Sequence, residues 1–123
     1  MILALILSSV MTINAQVYAY RTYAFAKKVY GYEWSNFVSS DLLVTINLNT
    51  DVIRIDNNQN SCFNVLSARE YYDKDNEWNL ECKCTDEERI RCTVRLILRS
   101  DGTSQMYVDY SNISVCYNLR KLN

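Results

Sequence analysis

The stretch Trp78-Asn79-Leu80-Glu81-Cys82-Lys83-Cys84 alternates apolar with polar side chains, and so does Ile90-Arg91-Cys92-Thr93-Val94-Arg95-Leu96-Ile97-Leu98-Arg99 after the polar break Asp86 to Arg89. A period of two places each set on one face of an extended strand. The two stretches therefore read as an antiparallel hairpin, with Trp78, Leu80, Cys82 and Cys84 facing inward against Ile90, Cys92, Val94, Leu96 and Leu98. Unlike charges directly across a strand pair contribute about 0.2–1 kcal/mol and like charges destabilise. Setting Glu81 opposite Arg95 and Glu77 opposite Arg99 satisfies that rule, whereas a shift by one pleat sets Lys83 against Arg91. The favoured register puts Cys84 opposite Cys92 on the inner face.

Working outward, Ser100-Asp101-Gly102 suits a three-residue hairpin loop with Gly102 in the left-handed conformation. That loop sets Val94 opposite Val108, Leu96 opposite Met106, and Arg95 beside Tyr107 on the outside. A last strand, Ile113 to about Leu119, follows Ser111-Asn112. Upstream, Leu42 to Leu48 and Val52 to Asp56 form a hairpin around Asn49-Thr50-Asp51. Asn57-Asn58-Gln59-Asn60 is a further turn, Ser61 to about Ala68 a strand, and Asp73-Lys74-Asp75-Asn76 another turn. Val17 to about Lys28 is a long first strand with apolar groups on both faces, so its burial stays unassigned. Val29 to Trp34 is an aromatic loop or a second short strand. The expected fold is all-β: an antiparallel meander of about eight strands closed into a small barrel, with a β-sandwich as the alternative. Closure is favoured because a nearly neutral chain without proline has few other means of protecting strand edges.

Met1 to Ala15 has the length and apolarity of a signal-peptide core and falls short of the roughly 20 residues that span a bilayer. We expect a signal peptide over 1–15 and a single β domain over 16–123, secreted or periplasmic, with no stable membrane span after removal. Thirteen basic against 14 acidic side chains leave no electrostatic footprint for nucleic acid.

Five cysteines, Cys62, Cys82, Cys84, Cys92 and Cys116, are an odd number for an exported chain. Cys84 with Cys92 and Cys62 with Cys116 are geometrically conceivable disulfides. Thiolates from Cys82, Cys84 and Cys92 could instead hold zinc, but structural zinc ligands usually come from turns. The plainer reading is small thiols filling core space. No metal or other cofactor is implied. Histidine is absent, which removes the usual general base and the usual partner of a Ser or Cys nucleophile. Glu81 and Asp109 are outward carboxylates that could serve a hydrolase or lyase, although ordinary pairing with Arg95 and Thr93 explains them as well. Asn112-Ile113-Ser114 matches a glycosylation acceptor, relevant only in a eukaryote.

The ten tyrosines are the feature most open to function. Tyr18, Tyr20, Tyr30, Tyr32 and Trp34 crowd the start of the mature chain, and Tyr71-Tyr72 form a second group. Such rings offer a flat apolar face with a polar tip to a protein, peptide or glycan. β propensity alone also favours tyrosine.

Asp51-Val52-Ile53-Arg54-Ile55, Arg91-Cys92-Thr93-Val94-Arg95-Leu96-Ile97, and Ser104-Gln105-Met106-Tyr107-Val108-Asp109-Tyr110 leading to Cys116-Tyr117-Asn118 resemble a group of small secreted, uncharacterised β-rich bacterial proteins. The resemblance spans about residues 41 to 119. It implies bacterial export and a β fold, and carries over no catalytic or binding residue; the cysteines at 82 and 84 depart from the group. The functional expectation is an exported, non-enzymatic binding module, with a small carboxylate-dependent hydrolase or lyase as the alternative.

Overall fold

Nine strands and no helix make up the computed structural model, which describes residues 17–56 and 61–122. They are β1 (Val17–Val29), β2 (Val38–Ser39), β3 (Leu43–Asn47), β4 (Val52–Asp56), β5 (Ser61–Tyr72), β6 (Trp78–Thr85), β7 (Arg91–Leu98), β8 (Ser104–Asp109) and β9 (Ile113–Lys121). The expected leader, residues 1–15, and the turn at 57–60 lie outside the described residues. β3 to β9 pair in chain order, all antiparallel, and β9 then pairs with β1, which also pairs with β3. That circuit is an eight-stranded closed barrel, with β2 as an extra strand on β1.

The register matches the one derived from charge. Glu81 lies opposite Arg95, Cys84 opposite Cys92, Val94 opposite Val108, Leu96 opposite Met106, and Arg95 beside Tyr107. Three connections repeat one device: a three-residue loop whose last member is left-handed, with Asn76 at φ 60°, Arg89 at 65° and Gly102 at 90°. A non-glycine residue in that region costs roughly 1–2 kcal/mol. Aspartates offset the cost at the two non-glycine loops: Asp73 Oδ1 accepts from the Asp75 and Glu77 amides, and Asp86 Oδ1 from the Glu88 and Ile90 amides.

The alternation turns Val44, Ile46, Ile53, Ile55, Leu80, Val94, Leu96 and Met106 into the lumen, which they fill as a packed core. Outside, β6 and β7 carry Glu81, Lys83, Arg91, Thr93 and Arg95, the reverse of the apolar band that a lipid-embedded barrel presents. Among the described residues, no helix is long and apolar enough to cross a membrane.

One expectation is revised and one question left open by the sequence is decided. β5 continues past Ala68 to Tyr72, because a bulge between Val65 and Ser67 leaves Leu66 unpaired and resets the alternation. β1 bulges between Thr22 and Ala24, so its faces exchange partway along: Tyr20 and Thr22 are buried before the bulge, Ala26 after it. After Val29 the chain leaves the barrel rim and doubles back outside it as a strap. Tyr30 N donates to Asn112 O, Ser35 N to Lys27 O, and β2 then pairs Val38 with Phe25 and Ser39 with Ala24. Thr22 Oγ1 anchors its far end, accepting from Leu42 N and the Ser40 hydroxyl, each at 2.9 Å.

Candidate functional site

The aromatic cluster expected from sequence is divided by the fold. Tyr20 is 3% exposed and points into the barrel, and Tyr18 packs on Trp78 at a centroid distance of 6.0 Å. Both lie two apart on one strand face, Tyr20 within the core and Tyr18 partly buried against it. Tyr30, Tyr32 and Trp34 lie on the strap and are exposed. Of the second group, Tyr71 lies under the Arg69 guanidinium and Tyr72 is exposed.

What the strap builds is a cleft of about 340 Å³ on the outer wall, lined by Ala26, Trp34, Phe37, Arg99, Gln105, Tyr107 and Cys116. Its floor follows from register: Ala26, Cys116 and Tyr107 are consecutive cross-strand neighbours on β1, β9 and β8, all facing outward. Small side chains at 26 and 116 leave depth there, and the strap covers both, so these outward residues are buried. Trp34 meets Tyr107 edge to face, with centroids 6.0 Å apart and planes at 73°. Phe37 and Trp34 stay half exposed, at 51% and 42%.

The polar end of the cleft is held rigid. Arg99 donates to Glu77 Oε1 at 3.2 Å, to Gln105 Oε1 at 2.9 and 2.6 Å, and to the Tyr107 hydroxyl at 3.3 Å. Gln105 Nε2 in turn donates to Asn118 Oδ1 at 2.8 Å, and Glu77 Oε2 accepts from Ser100 N at 2.8 Å. Glu77 is the buried partner, its side chain 8% exposed, so the ion pair is shielded on one side and open on the cleft side. Arg95 stacks on the other face of the site, 4.7 Å from the Tyr107 ring. Burial pushes the Cys116 thiol up, with the Tyr107 hydroxyl and the two arginines pulling the other way. Cys116 is thus a neutral, compact floor at physiological pH.

The remaining sequence candidates are placed apart from this cleft. Glu81 is bound 2.8 Å from Arg69 Nε, which holds its carboxyl below the usual range, while Asp109 pairs with Arg95 at 3.6 Å. Arg95 stands on the strand between the two carboxylates. Cys84 and Cys92 lie opposite each other as free thiols, and Cys62, Cys82 and Cys116 are free thiols at separate places in the sheet. Among the described residues, the one trio of ligating side chains with donor atoms within 4.8 Å of one another is Asp73, Asp75 and Glu77. The three-thiolate zinc site is therefore not assembled, since Cys82, Cys84 and Cys92 do not converge. The acidic trio is explained by its turn amides and by Arg99.

Known protein families, curated proteins and solved structures give no match to this chain. Function is therefore read from geometry alone. Of the cleft residues, Trp34 belongs to the aromatic cluster that the sequence offers, Arg99 to the charge pair with Glu77, Tyr107 to the outward neighbours of Arg95 and Cys116 to the candidate disulfide thiols, while Ala26, Phe37 and Gln105 carry no signal of their own.

Proposed function

We propose that this protein is an exported, non-enzymatic binding module, secreted or periplasmic in a bacterium, whose ligand enters the strap cleft. One observation carries the reading: two half-exposed rings, Trp34 and Phe37, line one space with a third, Tyr107, which Trp34 meets edge to face, beside an arginine already fixed in place, and no carboxylate lines that space. Recognition sites combine an apolar wall with a few oriented polar groups, and groups held rigid beforehand lose little entropy on binding. The cleft admits one side chain of a peptide or protein, or one sugar ring. The lack of histidine and the separate pairing of Glu81 and Asp109 favour binding over turnover.

The test is an array of oligosaccharides and short peptides probed with the chain from residue 16, followed by titration of each hit. Saturable binding should weaken at least about tenfold in Trp34→Ser and in Phe37→Ser, a loss of about 1.4 kcal/mol, with melting temperature almost unchanged. Hits that bind both variants as well as the parent would show that the cleft is not the site. Turnover of any hit would overturn the non-enzymatic reading.

A further inference from the structure

We propose that the tip of the strap, Tyr30-Gly31-Tyr32, seats in the headgroup region of a lipid bilayer. The proposal is independent of the cleft, because neither ring lines it. Six of the thirteen large hydrophobic side chains exposed among the described residues fall between Val29 and Val38. Trp34 and Phe37 are accounted for by the cleft, but Tyr30 and Tyr32 are not: they are 82% and 72% exposed. Among the described residues, neither ring stacks on another aromatic ring.

The tip is built to project. Tyr32 N donates to Val29 O across a tight turn, and Gly31, at φ +88° with nothing within 4 Å of where a Cβ would sit, lets the chain reverse in open space. Lys28 Nζ braces the turn by donating to Tyr32 O. The backbone is therefore set while both phenols extend into solvent. An exposed apolar patch of this kind marks either a protein or a membrane contact.

The charges beside it favour lipid. The two cations at the stem, Lys27 and Lys28, are lysines, and Glu33 is the one acidic residue from Lys27 to Ser40. Protein interfaces are depleted in lysine and enriched in arginine. At a bilayer surface, by contrast, tyrosine and tryptophan sit at headgroup level while lysines reach outward to anionic headgroups. The neighbouring turn, where Asn112 O receives the Tyr30 amide, is the uncharged Ser111-Asn112-Ile113, and the carboxylate bonded beside it, Asp86, is engaged by the Tyr110 hydroxyl.

Co-sedimentation of the chain from residue 16 with two kinds of vesicle tests this: phosphatidylcholine alone, and phosphatidylcholine with about a third phosphatidylglycerol. The protein should partition onto the anionic vesicles, and Tyr30→Ser with Tyr32→Ser should reduce that partition at least about tenfold while the melting temperature holds. Lys27→Gln, which leaves the Lys28 brace in place, should reduce it about fivefold on anionic vesicles and leave the neutral ones unaffected. Failure to sediment with either vesicle overturns the proposal, as does a double tyrosine variant that sediments like the parent. A purified protein partner lost on Tyr30→Ser with Tyr32→Ser, without vesicle binding, would reassign the tip to a protein contact. Neither outcome touches the cleft, whose ligands are scored by Trp34 and Phe37.

Discussion

Replacing Leu96 by alanine should open a void at the centre of the barrel. Leu96 is 1% exposed, directly opposite Leu80 on one side and Met106 on the other, both equally closed off from solvent. The substitution deletes three carbons at about 0.8 kcal/mol each, close to 2.4 kcal/mol of transfer free energy. A residual cavity adds about 24 cal/mol per Å³, although Met106, unbranched and flexible, can lean into part of it. The total is about 3–4 kcal/mol. Its neighbour Arg95 points the opposite way, pairing with Asp109 at 3.6 Å and lying 4.7 Å from the Tyr107 ring. Arg95→Ala should therefore cost about 1 kcal/mol. In urea melts, with a slope of about 1.5–2 kcal/mol/M, Leu96→Ala should lower the midpoint by about 2 M and Arg95→Ala by about 0.5 M, at unchanged slope. Equal shifts would refute the assignment of inner and outer faces along β7, and with it the barrel register.

Burial pushes the Cys82 thiol up to about 11 and that of Cys84 to about 12, and raises Cys92 and Cys116 as well. Iodoacetamide at pH 8 should thus label reduced native protein at Cys62 first and the other four only in denaturant, which peptide mass mapping would reveal; rapid labelling of Cys84 would contradict its place in the core. Asp73, Asp86 and Asp101 titrate below the ordinary carboxylate range because of, respectively, the Glu77 amide, the Ile90 amide and the Thr103 hydroxyl. A pKa depressed in the folded state confers stability that is complete above the unfolded value, about 4, and is lost as pH falls through the folded value. The urea midpoint should accordingly stay level from about pH 7 to 5 and drop below about pH 4, less steeply in Asp86→Asn; a midpoint level to about pH 2 would mean these turns carry no such charge dependence.

The hairpin from Trp78 to Leu98 and its pairing with β8 were legible because three local signals agreed: strict alternation, unlike charges across the pair, and a glycine where the chain must turn left-handed. β1 was not, since Tyr18, Tyr20, Phe25 and Ala26 give apolar groups to both faces. Two nonlocal facts decide their burial: the bulge at Thr22 to Ala24, and a strap that covers the outer wall. The same cause split the tyrosine cluster. Tyr18 and Tyr20 share one face of β1, whereas Tyr30, Tyr32 and Trp34 fall on the strap beyond its end, so proximity along the chain said little about proximity in space. Glu77 illustrates the opposite case, where a pairing read from charge alone with Arg99 proved to be the brace of the cleft. Phe37, Cys116 and Gln105 were invisible as a set because the strap that gathers them reverses outside the barrel through backbone bonds carrying no pattern of their own.

The double use of β1 also governs how the chain can fold. Every pairing from β3 to β9 joins neighbours in sequence, but β1 must wait for β9: Tyr20 meets Lys121, about a hundred residues later, a loop closure costing roughly 4 kcal/mol in chain entropy before any contact repays it. A chain emerging from its N-terminus, on a ribosome or through an export channel, therefore holds a sheet with a bare edge until its last strand arrives. Barrel closure would be the slow, final event, and substitutions along Ile113–Lys121 should lengthen the exposed interval and the opportunity for edge-to-edge aggregation.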